Sequence, residues 1–212
     1  MCMNNSMNHC GCGCSSKHNN ECNALGPFIA VDAACIQPPP PNTARGSIIA
    51  FSSGITTVEL ATVLNGAISV PSLIGFGSAT PGVVIAGTTI DLSAIVTEAF
   101  AVPRAGNITA ISASFNAFVT AGIVGSTTIR AQIYRAPAGS NMYTATNAFV
   151  DLAPAITGPI SLGETAFNSA DVSPVPVAVG DKLLMVYSIV ATSGITVAQT
   201  ITGTASAGIT ID

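Results

Sequence analysis

Residues 107–121 read NITAISASFNAFVTA, and the period of that stretch decides the fold class. Ile111, Ala113 and Phe115 recur at every second position, so an extended chain places them on one face. A period of two with β-branched and aromatic residues is a strand signature. Downstream, the segments STTIRAQIYRA (126–136), NAFVDLAPAITG (147–158), PISLGETAF (159–167), VPVAVGDKLLMVYSIVA (175–191), ITVAQTITG (195–203) and SAGITID (206–212) have the same character. Upstream, so do SIIAF (47–51), AISVPSLIGFG (67–77), GVVIAGTTIDL (82–92) and TEAFAVPRAG (97–106). Turn residues separate them at 105–107, 138–141 and 180–181. About ten short strands at this spacing predict an all-β sandwich, jelly roll or barrel. Helical periodicity is weak throughout, and TTVELATVLNG (56–66) suits a strand or a turn of helix equally.

The composition fits a body that is covered by something. Charged residues make up 8% of the 212 residues, against roughly 25% in ordinary soluble domains. Apolar residues reach 49%, with no Trp, yet polar residues interrupt every run well short of the roughly 18 apolar residues of a membrane helix. A surface so poor in charge is a solubility liability in a free monomer and is expected to be buried against copies of itself. The net charge is −4, and the six basic residues, Lys17, Arg45, Arg104, Arg130, Arg135 and Lys182, are scattered. No basic patch exists to neutralise phosphates or anchor the chain at a membrane, so neither nucleic acid nor membrane is an expected partner.

The front of the chain has a different chemistry. Residues 1–22, MCMNNSMNHCGCGCSSKHNNEC, hold five of the six cysteines and both histidines. We divide the chain into a Cys-rich tail (1–23), a connector arm (24–46) and a β domain (47–212). The tail has no basic and apolar leader of the secretory type. Thiols without a secretory route point to a protein made in a cytoplasm and exposed to oxidation later. Cys2, Cys10, Cys12, Cys14, Cys22 and Cys35 are candidates for intermolecular disulfides. The alternative is a soft-metal site from His9, Cys10, Cys12 and Cys14, although the Cys-x-Cys spacing lacks the knuckles of a closed zinc site. No cofactor is expected. In the arm, Phe28, Ile29, Val31 and Ile36 form a short apolar segment able to dock as a strand. Pro38, Pro39, Pro40 and Pro41 make a stiff spacer without backbone donors. Fully extended, the stretch from Cys35 to Gly46 spans about 35–40 Å, enough to reach a neighbouring subunit.

Five segments, in order, carry a family resemblance: GSIIAFSSG (46–54), LIGFGSATPG (73–82), FAVPRAGNITAISASF (100–115), VPVAVGDKLLMVYS (175–188) and GTASAGITI (203–211). Together they resemble the carboxy-terminal domain of BclB-type exosporium proteins of Bacillus spores, over residues 46–212. The resemblance implies a jelly roll of the tumour-necrosis-factor and complement-head type, a homotrimer, and display on a spore surface after synthesis in the mother cell. Where such proteins commonly carry a collagen-like stalk, this chain has the Cys-rich tail and proline spacer. That front is similar in kind to the N-terminal connectors of endospore appendage subunits.

Catalytic motifs are missing from the text of the β domain. No His follows His18, so a Ser-His-Asp or Cys-His unit has no base there. The carboxylates Glu59, Asp91, Glu98, Asp151, Glu164, Asp171 and Asp181 are spread singly over turns and strand ends, where solvation is expected. Asp181, in VGDKLL, reads as a turn residue before a long buried strand. Arg104 suits a subunit contact or a solvated strand end. Arg130 and Arg135, five apart on one strand, should point to opposite faces. Phe100, Phe115, Phe118, Tyr134 and Tyr187 are expected in the core or on a trimer axis. The expectation is therefore a non-enzymatic structural protein of the spore surface, whose trimeric heads join into a filament or layer through arms and disulfides. Its partners are copies of itself, with other coat or exosporium proteins as further contacts. The alternative is a trimeric adhesion head anchored to the exosporium by its Cys tail.

Overall fold

A computed structural model describes residues 46–63, 68–85, 87–95, 99–123, 125–158, 163–193 and 198–212. Among these residues there is no helix. The strands are β1 (Ser47–Ser52), β2 (Val58–Val63), β3 (Ile68–Val70), β4 (Ser72–Ile74), β5 (Ala79–Pro81), β6 (Thr89–Asp91), β7 (Phe100–Ala101), β8 (Gly106–Ala121), β9 (Ser126–Ala136), β10 (Met142–Asp151), β11 (Ile156–Thr157), β12 (Glu164–Val177), β13 (Lys182–Ser193) and β14 (Gln199–Ile211). The undecided stretch 56–66 thus contributes a strand, β2, whose Val58, Leu60 and Thr62 face inward in alternation.

Two sheets form. Sheet I runs β12-β8-β14-β2-β3 with β1 also on β14, and sheet II runs β5-β4-β13-β9-β10-β6. β1 and β2 lie successively along β14, at Ser206–Ile211 and Gln199–Gly203, and act as one interrupted strand. Counting them as one, eight principal strands divide between the sheets: first, eighth, third and sixth in sheet I, second, seventh, fourth and fifth in sheet II. This is the double Greek key of a jelly roll, as expected.

The main core lies between the sheets. Ile108, Ile111, Ala113, Phe115 and Ala117 of β8 meet Ile129, Ala131 and Ile133 of β9 and Leu183, Met185, Tyr187 and Ile189 of β13. Phe115 and Tyr187 pack with ring centroids 6.3 Å apart. The Tyr187 hydroxyl spans the two sheets, donating to Ser206 O at 2.7 Å and more weakly to Ser114 O at 3.2 Å.

A second cluster lies on the outer side of sheet II. There Leu73, Tyr134, Ala136, Tyr143, Leu184 and Val186 are covered by Val83, Ile90 and Leu92. β13 is consequently buried on both faces over Leu183–Tyr187, which explains why LLMVY is a continuous apolar run where β8 alternates.

Burial accounts for the titration of all three tyrosines. It pushes the phenols of Tyr134, Tyr143 and Tyr187 up, Tyr187 the furthest. A raised phenol means that the folded state holds protons the unfolded state releases near pH 10. The resulting stability is fully present below about pH 10 and is lost as pH rises beyond it. An alkaline titration followed at 295 nm should therefore show no early phenolate step. The rise should start above the range of free tyrosine, and its last third, from Tyr187, should accompany loss of the β-sheet signal; complete ionisation of a still-folded protein would contradict the burial of Tyr187.

Candidate interaction face

The outward side of sheet I has no cover among the described residues. Registers place its outward positions in rows across β1, β14, β8 and β12. Ile48, Thr210, Ala110 and Asp171 form one row, and Ala50, Gly208, Ser112 and Ser169 the next. Ser52, Ser206, Ser114 and Phe167 follow, then Thr204, Asn116 and Thr165. Asp171 is the one charge in these rows. The centre of the face is a shallow trough floored by Gly208 and Ser112. Its walls carry exposed apolar groups, Ile48 at 79% exposure on one side and Phe167 at 65% on the other.

Five hydroxyls at the centre of this face have partners within it. Ser112 and Ser169 are hydrogen-bonded at 2.6 Å, Ser114 and Ser206 at 2.9 Å, and the Thr165 hydroxyl donates to Asn116 Oδ1 at 2.5 Å. A buried polar group costs free energy chiefly when it lacks a partner. Hydroxyls paired in this way demand fewer matching donors and acceptors from whatever covers them.

The charged residues lie away from the centre of this face. Arg130 forms a bidentate pair with Asp151 (2.6 and 3.0 Å), and its guanidinium sits 4.0 Å from the centre of the Phe149 ring. Arg130 and Arg135 do lie on opposite sides of β9: neighbours of Arg130's parity join the outer cluster, those of Arg135's parity the core. Arg135 Nε stands 2.7 Å from Asp181 Oδ2, but the N–H is not aimed at that oxygen, so the contact is mainly Coulombic. Asp181 corrects the expectation of solvation. It does sit at the turn before β13, but it is buried, and its carboxylate accepts the Ala178 N–H at 2.7 Å. Arg104 is exposed and donates to Ser47 Oγ at 3.1 Å. Of the aromatics, Phe115, Tyr134 and Tyr187 are core, Phe100 is partly buried against it, and Phe118 is exposed.

Among the described residues no three Cys, His, Asp or Glu side chains gather as a metal-binding group. The six candidate cysteines, His9, the docking residues Phe28, Ile29, Val31 and Ile36, and the spacer Pro38–Pro41 lie outside the described residues.

The trough residues were not singled out by the reading of the sequence. Their signal is the other half of the alternation: Ala110, Ser112, Ser114 and Asn116 in β8, and Thr204, Ser206, Gly208 and Thr210 in β14. Outward positions that are uniformly small and uncharged mark a strand face built for close approach.

No family model and no curated protein matches the chain. Among solved structures, Eiger TNF from S. frugiperda is similar at a TM-score of 0.28 and 8% identity, over 74% of this chain and 92% of that one.

Proposed function

We propose that the chain is a self-assembling structural protein whose jelly-roll heads associate through the outward face of sheet I. The observation that carries this reading is the pairing of hydroxyls in the rows across β1, β14, β8 and β12, which hold one charge between two exposed apolar walls. Large exposed apolar surface on a protein with 8% charged residues marks an interaction site. A second copy of the chain suits it, since it brings the same low charge and demands no complementary ions. The outer side of sheet II already holds an apolar cluster in which Val83, Ile90 and Leu92 pack on Leu184 and Val186.

The assembly order of three and the spore-surface setting follow the resemblance of residues 46–212 to BclB-type proteins. In this reading the arm reaches the next trimer, and Cys2, Cys10, Cys12, Cys14, Cys22 and Cys35 oxidise between chains once the mother cell lyses. Contacts that do not close on themselves propagate into a filament or layer. Electron microscopy of the full-length protein in hot detergent tests the whole. Filaments that persist without reductant and fall to small particles with it are the expected result. Discrete particles under all conditions would sink the reading and favour a displayed adhesion head.

A further inference from the structure

From the charges at the two borders of sheet I, we infer that association between copies is registered by an ion pair: Arg104 of one copy meets Asp171 of the next. The inference rests on the self-assembly reading above and assigns which parts of two copies come together.

Asp171 is the one charge in the rows of the outward face, at the β12 end of the row that begins with Ile48. It is exposed, lines the end of the trough and forms no ion pair among the described residues. The hydroxyls at the centre of the trough have partners of their own. A carboxylate differs, because a charge taken out of water is tolerated only when it is paired. A copy that covers this face therefore has to bring a cation to its β12 border.

The cations among the described residues are Arg104, Arg130, Arg135 and Lys182. Arg130 and Arg135 stand against Asp151 and Asp181. Lys182 belongs to β13 in sheet II and donates to Asn141 Oδ1 at 2.7 Å. Arg104 is the cation at the border of sheet I, and it has no carboxylate partner among the described residues. It is exposed beside β1, where its guanidinium donates to the neutral Ser47 hydroxyl at 3.1 Å. The carboxylate of Asp212, at the end of β14, accepts instead from the Thr109 hydroxyl at 2.6 Å.

The aromatic groups at the two borders follow the charges. Arg104 is held level with Ser47, and the half-exposed Phe76 bridges to Ser52, about 17 Å further along β1. On β12, the exposed Phe167 lies about 13 Å from Asp171, in the row of Ser52. Each border thus carries a charge at one end and a phenylalanine at the other, in the same order and with opposite signs. Copies turned about an axis along the strands bring Arg104 to Asp171 and Phe76 to Phe167 at once. Turning one copy end for end would set each charge against a phenylalanine. The ion pair therefore makes neighbouring heads point the same way, a choice of register and orientation of the kind that charges at an interface supply.

Charge reversal in the full-length chain, followed by sedimentation velocity under reductant, is the test. Arg104→Asp and Asp171→Arg, each alone, bring like charges together and should weaken self-association about 30-fold. Both residues are exposed, so the melting temperature should hold. The two reversals combined restore the pair with its signs exchanged, and affinity should return to within about threefold of wild type. Single variants that associate like wild type, or a double variant as weak as the singles, would overturn the inference. Neither result would remove the face itself, on which Gly208→Lys reports separately from the trough floor. If wild type forms no assembly, the self-assembly reading fails, and the ion pair with it.

Discussion

Gly208→Lys should leave the jelly roll folded and abolish its association. Gly208 lies on the trough floor, and a Cβ added there would meet nothing closer than Ile49 O at 3.7 Å, an ordinary contact. The lysine stem therefore projects outward without disturbing β14. In the assembled face, however, it would place an ammonium among paired hydroxyls with no counter-charge except Asp171. An unpaired buried charge costs several kcal/mol, and each 1.4 or so is about tenfold in affinity. A loss of at least 100-fold in self-affinity is expected, with the far-ultraviolet spectrum and melting temperature unchanged. Sedimentation velocity measures it, and unaltered association would exclude this face as the contact.

The same strand supplies a contrasting glycine. Gly203→Ala should destabilise the fold by about 3 kcal/mol or more, the upper range of overpacking in a core. A Cβ there would collide with the backbone oxygen of Asn116 and come within 2.8 Å of the Phe115 ring. Neither group yields easily: Asn116 is fixed in the β8–β14 ladder, and Phe115 is fully buried. For a body of this size the melting temperature should fall by roughly 6–12 °C. Gly208→Ala is the control. It removes a strand glycine in open space and should be neutral or stabilising by up to about 1 kcal/mol. Thermal unfolding of the two variants side by side checks both, and equal shifts would mean that the packing around Gly203 is not as described.

These two glycines also show what could be read in the sequence. The fold was legible because Ile111, Ala113 and Phe115 repeat with the pleat, and turn residues cut the chain at strand spacing. The covering of sheet II was harder to see. The stretch 82–92 does supply a strand, β6, but the sequence does not show that Val83, Ile90 and Leu92 also pack on the outward Leu184 and Val186 of sheet II. The burial of Asp181 was invisible for a similar reason: its partner Arg135 is remote in sequence and arrives only with the β9–β13 pairing. The candidate face was half legible. Low charge announced a covered surface, but which surface depends on registers that bring Ser112 beside Ser169 and Ser114 beside Ser206. A serine at alternate positions looks like ordinary solvated strand until its cross-strand partner is known.

The most direct test of the account is the solution mass of the full-length wild-type protein under reductant, by sedimentation equilibrium. With disulfides absent, only the face and the arms can hold copies together. The account predicts no species smaller than three times the 21.1 kDa chain at micromolar concentration. A monomer of 21.1 kDa across that range would contradict association through sheet I.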